Sequence, residues 1–413
     1  MSNTQKKNVP ELRFPGFEGE WEEKKLGDLT DRVIRKNQNL ESKKPLTISG
    51  QLGLIDQTEY FSKSVSSKNL ENYTLIKNGE FAYNKSYSNG YPLGAIKRLT
   101  RYDSGVLSSL YICFSIKSEM SKDFMEAYFD STHWYREVSG IAVEGARNHG
   151  LLNISVNDFF TIPIKYPSLE EQQKIGKFFS KLDRQIELEE QKLELLQQQK
   201  KCYMQKIFSQ ELRFKDENGE DYPDWKEKKL GDITEQSMYG IGASATRFDS
   251  KNIYIRITDI DEKSRKLNYQ NLTTPDELNN KYKLKRNDIL FARTGASTGK
   301  SYIHKEEKDI YNYYFAGFLI KFEIDEQNNP LFIYQFTLTS KFNKWVKVMS
   351  VRSGQPGINS EEYAKLPLVL PNKLEQKKIA EFLDRFDQQI ELEKQKIEIL
   401  QQQKKGLLQS MFI

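Results

Sequence analysis

Residues 293–301 read RTGASTGKS, a composition suited to holding phosphate. A loop that wraps a nucleotide in backbone N–H groups needs four residues between its glycines, and an acidic residue on a later strand to hold magnesium. Here Gly295 and Gly299 have three residues between them, and no such acid stands out. The stretch has instead the composition of a loop that contacts phosphates and base edges. Arg293, Thr294, Ser297, Thr298 and Lys300 supply hydrogen bonds, and their small neighbours allow close approach to phosphates and base edges. A comparable loop stands in the first half of the chain. Residues 81–94 read FAYNKSYSNGYPLG and follow KNGE at 77–80, as FARTGASTG at 291–299 follows KRND at 285–288. Its candidates are Asn84, Lys85, Ser86, Tyr87, Ser88, Asn89 and Tyr91, with Lys97 and Arg98 behind them. Two further polar, glycine-containing stretches, GARNHG at 145–150 and VRSGQPG at 351–357, add Arg147, Asn148, Arg352 and Gln355. Arg98, Arg101 and Arg247 are candidates for the phosphate backbone. For each of these residues the alternative is an ordinary solvated loop.

Support for catalysis is thin. His133, His149 and His304 are scattered without metal-ligand spacing. No Gly-x-Gly-x-x-Gly follows a strand. An amino-methyltransferase motif of the Asn/Asp-Pro-Pro-aromatic type is missing, as is a paired acidic-lysine nuclease signature. Cys113 and Cys202 have no metal-ligand neighbours and read as free thiols.

What must position these loops is a duplication. Residues 167–201 and 371–405 align without a gap at an offset of 204, with 21 of 35 positions identical. The same offset carries Trp21 and KKLGD at 24–28 onto Trp225 and KKLGD at 228–232. The segments between, roughly 35–160 and 240–365, are not obviously alike. Seam positions recur four and three apart in both repeats, through Leu182, Ile186, Glu189, Leu193, Leu196 and Lys200, and through Ile390, Glu393, Ile397, Leu400, Lys404 and Leu407, each apolar run broken by one acid and one base. That is the seam of a coiled coil. Each helix predicted here runs about 35–40 residues, or about 50–60 Å. Neither can bury its stripe alone, so the two are expected to pair antiparallel. With the repeat centred, Glu189 would face Lys404 and Lys200 would face Glu393, with contacts near Leu193–Leu400 and Leu196–Ile397. Glu-Leu-Arg-Phe recurs at 11–14 and 211–214, which makes the chain pseudo-cyclic: its start should dock beside the end of the second helix.

Strands are predicted at Phe81–Asn84, Leu107–Ile116, Ile253–Ile257, Ile289–Ala292 and Phe315–Phe322. Helices are predicted at Asp123–Val138 and Pro330–Met349. The chain has 413 residues, a net charge of +5 and 29% charged residues. That permits a nucleic-acid partner without demanding one. No apolar run approaches a membrane span, and the N-terminus lacks the apolar core of a signal peptide, so a cytoplasmic location is expected.

Taken together, the LEEQQKI…FFSKLDRQIELEEQKLELLQQQKK helix, its C-terminal copy, the Trp…KKLGD starts and FAYNKSYSNGYPLGAIKR at 81–98 make the whole chain resemble the specificity subunit of Type I restriction–modification enzymes. The resemblance implies an α+β fold with two globular target-recognition domains, 1–166 and 211–370. They would be separated by two long helices, 167–210 and 371–413, forming an intramolecular antiparallel coiled coil of pseudo-two-fold symmetry. It implies a non-catalytic subunit that reads a bipartite double-stranded DNA target. Two methyltransferase subunits that use S-adenosylmethionine, and restriction subunits that use ATP and magnesium, would do the chemistry in a bacterial or archaeal cytoplasm. No cofactor is expected on this chain, and no membrane partner. The competing readings are a coiled-coil scaffold whose domains bind other ligands, and a nucleotide hydrolase built on residues 293–301.

Overall fold

The computed structural model describes every residue except 1–7, 51, 62–68, 88–89, 143–151, 263 and 306–309. Two helices dominate it, Leu169–Phe208 and Lys373–Met411. Both are rich in Leu, Glu, Gln and Lys, which lose little side-chain freedom in a helix, and neither contains proline. Each starts two residues after a proline. Ser168 caps the first turn by accepting from the Glu171 N–H at 3.4 Å, and Asn372 does so from Glu375 at 2.9 Å. The Gln172 and Gln376 side-chain amides each donate to the preceding proline carbonyl at 2.9 Å.

The chain forms two compact units, Met1–Gln191 with Lys394–Ile413, and Lys192–Glu393. Each unit therefore holds a globular part and half of each long helix. Within each unit the helix halves run antiparallel. In the first, Glu189 pairs with Lys396, and Asp183 with Lys404 at 2.6 Å. In the second, Lys192 pairs with Glu393 at 2.6 Å, and Lys200 with Asp387 at 2.7 Å. Adding 204 to one partner and subtracting it from the other turns the first pair of contacts into the second, so the repeat holds within each unit.

The expected register does not. Glu189 meets Lys396, eight residues before Lys404, and Lys404 meets Asp183, six before Glu189. Likewise Lys200 meets Asp387 rather than Glu393. This is about one heptad from the register that would set Leu193 opposite Leu400 and Leu196 opposite Ile397. The symmetry demands only that each contact have a mate, and every register satisfies that. In the observed one each seam lysine has an aspartate across the coil and a polar group of the globular part close by. The seam residues themselves turn inward as expected. Ile186, Lys200, Glu393 and Ile397 are buried, and Leu182, Glu189, Leu193, Leu196, Ile390, Leu400, Lys404 and Leu407 are half-buried. At the ends the stripe drifts by one residue, so that Met204 and Leu408 are buried and Tyr203 is exposed.

The globular parts share a topology that their sequences conceal. Strands Thr30–Arg32, Tyr111–Ile116, Phe81–Asn84 and Ala95–Arg98 lie in that order in one antiparallel sheet, as do Thr234–Tyr239, Leu319–Ile324, Ile289–Ala292 and Ser301–Ile303 in the other. The turns that launch the third strands match atom for atom. The Glu80 carboxylate accepts from the Lys77 N–H at 2.7 Å, and Asp288 accepts from Lys285 at 2.9 Å. Gly79 and Asn287 take the left-handed conformation at φ 84° and 72°. Their N–H groups donate to Leu99 and His304 carbonyls, each at 2.7 Å. Tyr83 stacks on Phe159 at 4.8 Å, and Phe291 lies on Tyr363 at 4.9 Å, one aromatic pair with the hydroxyl moved to the other partner.

The expected strands Phe81–Asn84 and Ile289–Ala292 form with those bounds. The expected Leu107–Ile116 and Phe315–Phe322 each divide, at Ser108–Leu110 and at Ala316–Phe318, into the end of one strand and the start of the next. Ile253–Ile257 forms as Asn252–Ile255. Both expected helices are broken in two, Lys122–Asp130 with His133–Ile141, and Pro330–Phe336 with Ser340–Met349. In each break a hydroxyl, Ser131 or Thr337, donates to the carbonyl three residues back at 2.6 Å and competes with the helical ladder. The start of the chain closes on its end as the middle does. The Leu12 N–H donates to the Ser410 carbonyl at 2.9 Å, and Leu212 to Lys206 at 3.0 Å.

Candidate nucleic-acid interface

In the second unit, strand Ile289–Ala292 delivers Arg293 to the surface, and the loop after it is held from both sides. The Arg293 N–H donates to the Phe318 carbonyl at 3.1 Å, and the Arg293 carbonyl accepts from Ile358 at 2.9 Å. Thr294 pairs with Gly357, and the Thr298 hydroxyl donates to the carbonyls of Gly295 and Pro356. The candidates of 293–300 and 351–357 therefore lie together. Arg293, Thr294, Ser297 and Thr298 are half-buried, and Gln355 is exposed.

This loop is not a phosphate cradle. Most of its N–H groups are already spent: Gly295 on Pro356, Thr298 on Gly295, Gly299 on Ala292 and Lys300 on Ser297, at 2.9–3.1 Å. Lys300 turns inward, and its ammonium donates to the Ile260 carbonyl at 3.3 Å. Arg352 is clamped by both oxygens of Glu362 at 2.5 Å and also donates to the Met349 and Val351 carbonyls. Arg293 differs from both, its guanidinium lying 4.9 Å over the ring of Tyr239.

In the first unit Lys85 leaves strand Phe81–Asn84 where Arg293 leaves Ile289–Ala292, each five residues after the acidic turn residue. The Lys85 carbonyl accepts from Leu152 at 3.0 Å, and its ammonium donates to the Ile154 carbonyl at 3.2 Å. Asn84 accepts from the Ser86 N–H, Tyr87 is exposed, and Tyr91 donates to the Gly50 carbonyl at 2.9 Å. Ser88, Asn89, Arg147 and Asn148 lie outside the described residues.

Lys97 and Arg98 are held by carboxylates. Lys97 pairs with Asp130 at 2.7 Å, and Asp130 also holds Lys404 at 2.8 Å. Arg98 lies between Asp123 and Glu126 at 2.5 and 3.2 Å. Burial pushes the Asp130 carboxyl up, but Lys97 and Lys404 outweigh it and hold it down at about 2. Glu126 goes the other way: burial raises it to about 7 against the pull of Arg98. These two cations brace the sheet on the helices. Arg101 and Arg247 are exposed, Arg101 standing 4.0 Å from Glu59.

Tyr239, Glu362 and Asp130 were not among the sequence candidates. Glu362 carried a signal, as it stands three residues after the capping residue Asn359 and beyond the loop it clamps. Among the described residues no group of three or more His, Cys, Asp or Glu could hold a metal, and no helix is long and apolar enough to cross a membrane. Cys113 and Cys202 are both free, the first buried and the second exposed.

Residues 18–198 and 222–402 each match the model of the Type I restriction modification DNA specificity domain. The chain belongs to that family. The matches fall on the two repeats, and the family's role is recognition of a DNA target. The Type I restriction enzyme MjaVIII specificity subunit of Methanocaldococcus jannaschii is 25% identical over 428 residues, covering 97% of this chain and 93% of that one. The Type I restriction enzyme HindI specificity subunit of Haemophilus influenzae is 28% identical over 201 residues, 46% of this chain and 41% of its own. Among solved structures, the S subunit of a Type I restriction–modification system from M. genitalium aligns with a TM-score of 0.62 at 16% identity, covering 98% of this chain and 99% of that one. The fold is thus a family fold: two tandem α+β domains, each with its own antiparallel pair of helix halves.

Proposed function

We propose that each unit of this specificity subunit reads one half of a bipartite double-stranded DNA target and that the paired helices set the distance between the halves. The observation that carries this is the contrast between frame and loops. Sheet order, launching turns and helix caps are the same in both units, while the loops they present, 85–94 and 293–300, differ in sequence and, among the described residues, in side-chain partners. A frame kept constant beneath divergent loops suits two readers of different half-sites. The repeated frame also offers two equivalent docking surfaces, one for each of two methyltransferase subunits. The chain supplies the address. S-adenosylmethionine, ATP and magnesium belong to the methyltransferase and restriction partners, which act on the DNA in the cytoplasm.

The test is co-expression with a methyltransferase subunit of the same system and mapping of methylated adenines. A bipartite pattern is expected. Replacing residues 240–365 with the corresponding segment of another family member should change one half-site and leave the other. If both halves change, or the chain binds DNA with no dependence on salt, this reading fails.

A further inference from the structure

The basic side chains of the candidate loops do not share one role. Lys85 and Lys300 give their ammonium groups to the carbonyls of Ile154 and Ile260. Lys97 and Arg98 are bound up in ion pairs with helix carboxylates. Arg352 has Glu362 across its fork. Arg293 makes no side-chain hydrogen bond or ion pair among the described residues; its one side-chain contact of this kind is the face of Tyr239. Its position is nevertheless fixed, because its own N–H and carbonyl are bonded to Phe318 and Ile358. The ring beneath it is fixed too: the Tyr239 hydroxyl accepts from the Ser360 N–H at 3.1 Å, and Tyr239 pairs with Ile320 in the sheet.

We propose that Arg293 reads a guanine in the half-site bound by the second unit. This rests on the DNA-binding reading above and narrows it to one residue and one base. A guanidinium stacked on an aromatic ring keeps its N–H edge free and loses little freedom on binding, and that edge matches the O6 and N7 acceptors of guanine in the major groove. A phosphate contact would need only charge, which an unsupported lysine could supply. Thr294 flanks Arg293 in sequence and Gln355 stands on the adjoining loop, so neighbouring base edges have donors of their own. In the first unit Lys85 takes the equivalent place with its charge turned inward, so the two half-sites are read by different chemistry at this position.

The experiment uses the full chain co-expressed with its methyltransferase partner, and compares methylated adenines for the native protein, Arg293→Lys and Arg293→Ala. The half-site belonging to the second unit is the one altered by the 240–365 exchange. In both variants one G·C position of that half-site should relax, with about ten- to hundredfold loss of discrimination, while the other half-site stays as it was. That unchanged half also shows that the variant has folded. The inference is overturned if the native half-site contains no G·C pair. It is also overturned if both variants keep full discrimination, or if methylation falls evenly at all sites with sequence preference intact, which marks a phosphate contact. A native protein that directs no methylation sinks the DNA reading itself, a distinct result.

Discussion

Lys200 of the second unit pairs with Asp387 across the helices, and the amide of Gln335 donates to the other carboxylate oxygen at 2.8 Å. The mate of that pair in the repeat, Lys404 with Asp183 in the first unit, is braced by charge instead. Asp130 bonds Lys404 and, on its other oxygen, Lys97. One brace adds a neutral amide, the other a carboxylate and an ammonium, and both leave the cluster neutral. The repeated helices thus tolerate two domains of divergent sequence on one condition, that each domain bring a charge-balanced group to the same ion pair. The amide brace is the looser, since the Gln335 side-chain oxygen is buried without a partner among the described residues.

The comparison breaks most readily at Asp130. Asp130→Ala leaves two largely buried ammonium groups facing each other and should lower stability by about 3 kcal/mol or more. Gln335→Ala removes one hydrogen bond to a charged group and should cost about 1–2 kcal/mol. Chemical denaturation of both variants gives the ranking, and equal losses would show that the braces are equivalent. A smaller asymmetry lies at the start of each repeat. Arg13 pairs with buried Glu171, and Arg213 with buried Glu375, but only Trp225 also donates its indole N–H to the glutamate, at 3.2 Å. The Trp21 N–H is buried without a partner among the described residues. Trp225→Phe should therefore cost about 1 kcal/mol more than Trp21→Phe in the same measurement.

How much of this the sequence disclosed depends on whether a feature is local. The helices were legible because a stripe repeating every three and four residues needs only the chain itself. So were the strands Phe81–Asn84 and Ile289–Ala292, bounded by an acidic turn and an apolar run. The shared sheet was not legible, because its strands are set by position and burial rather than by identity: Tyr83 answers Phe291, and Phe159 answers Tyr363. The partners of Lys97, Arg98 and Arg352 were hidden for the same reason. In a loop sequence a lysine beside an arginine reads as a basic patch, and only the helices packed beneath show that Asp130, Asp123 and Glu126 neutralise it. Arg293 could not be separated from them without Tyr239, which lies 54 residues earlier in the chain.

Acidity should also separate the units. Glu126 in the first unit is held at about 7 by burial, with Arg98, Asp130, Lys97 and Asp183 around it. Its folded value lies above the ordinary unfolded value of about 4.3. Its stabilising contribution is therefore full below that value and is lost as pH rises through about 7. Asp183, also raised by burial, acts in the same sense, whereas Asp130, held at about 2, matters only in strong acid. Melting temperature should rise as pH falls from 8 to 5, and Glu126→Gln should flatten that slope. A third of the Glu126 side chain meets solvent, so screening keeps the effect modest. An unchanged slope in Glu126→Gln would place the titrating group elsewhere.

The smallest expected effect decides the register. Glu189 pairs with Lys396 on a surface where the lysine is half exposed, so the coupling between them should be about 0.5 kcal/mol. A double-mutant cycle on Glu189→Gln and Lys396→Gln measures it, and the mate cycle on Glu393→Gln and Lys192→Gln should agree in sign. The discriminating control is the cycle between Glu189 and Lys404, the pair that a centred repeat would have joined. In the observed register these residues are about a heptad out of step and their coupling should vanish. Symmetry is silent on this choice, since every register gives each contact its mate. If Glu189 proved coupled to Lys404 and not to Lys396, the helices would have slid by a heptad, Asp130 and Gln335 would no longer meet their lysine–aspartate pairs, and the contrast between the two braces would go with them.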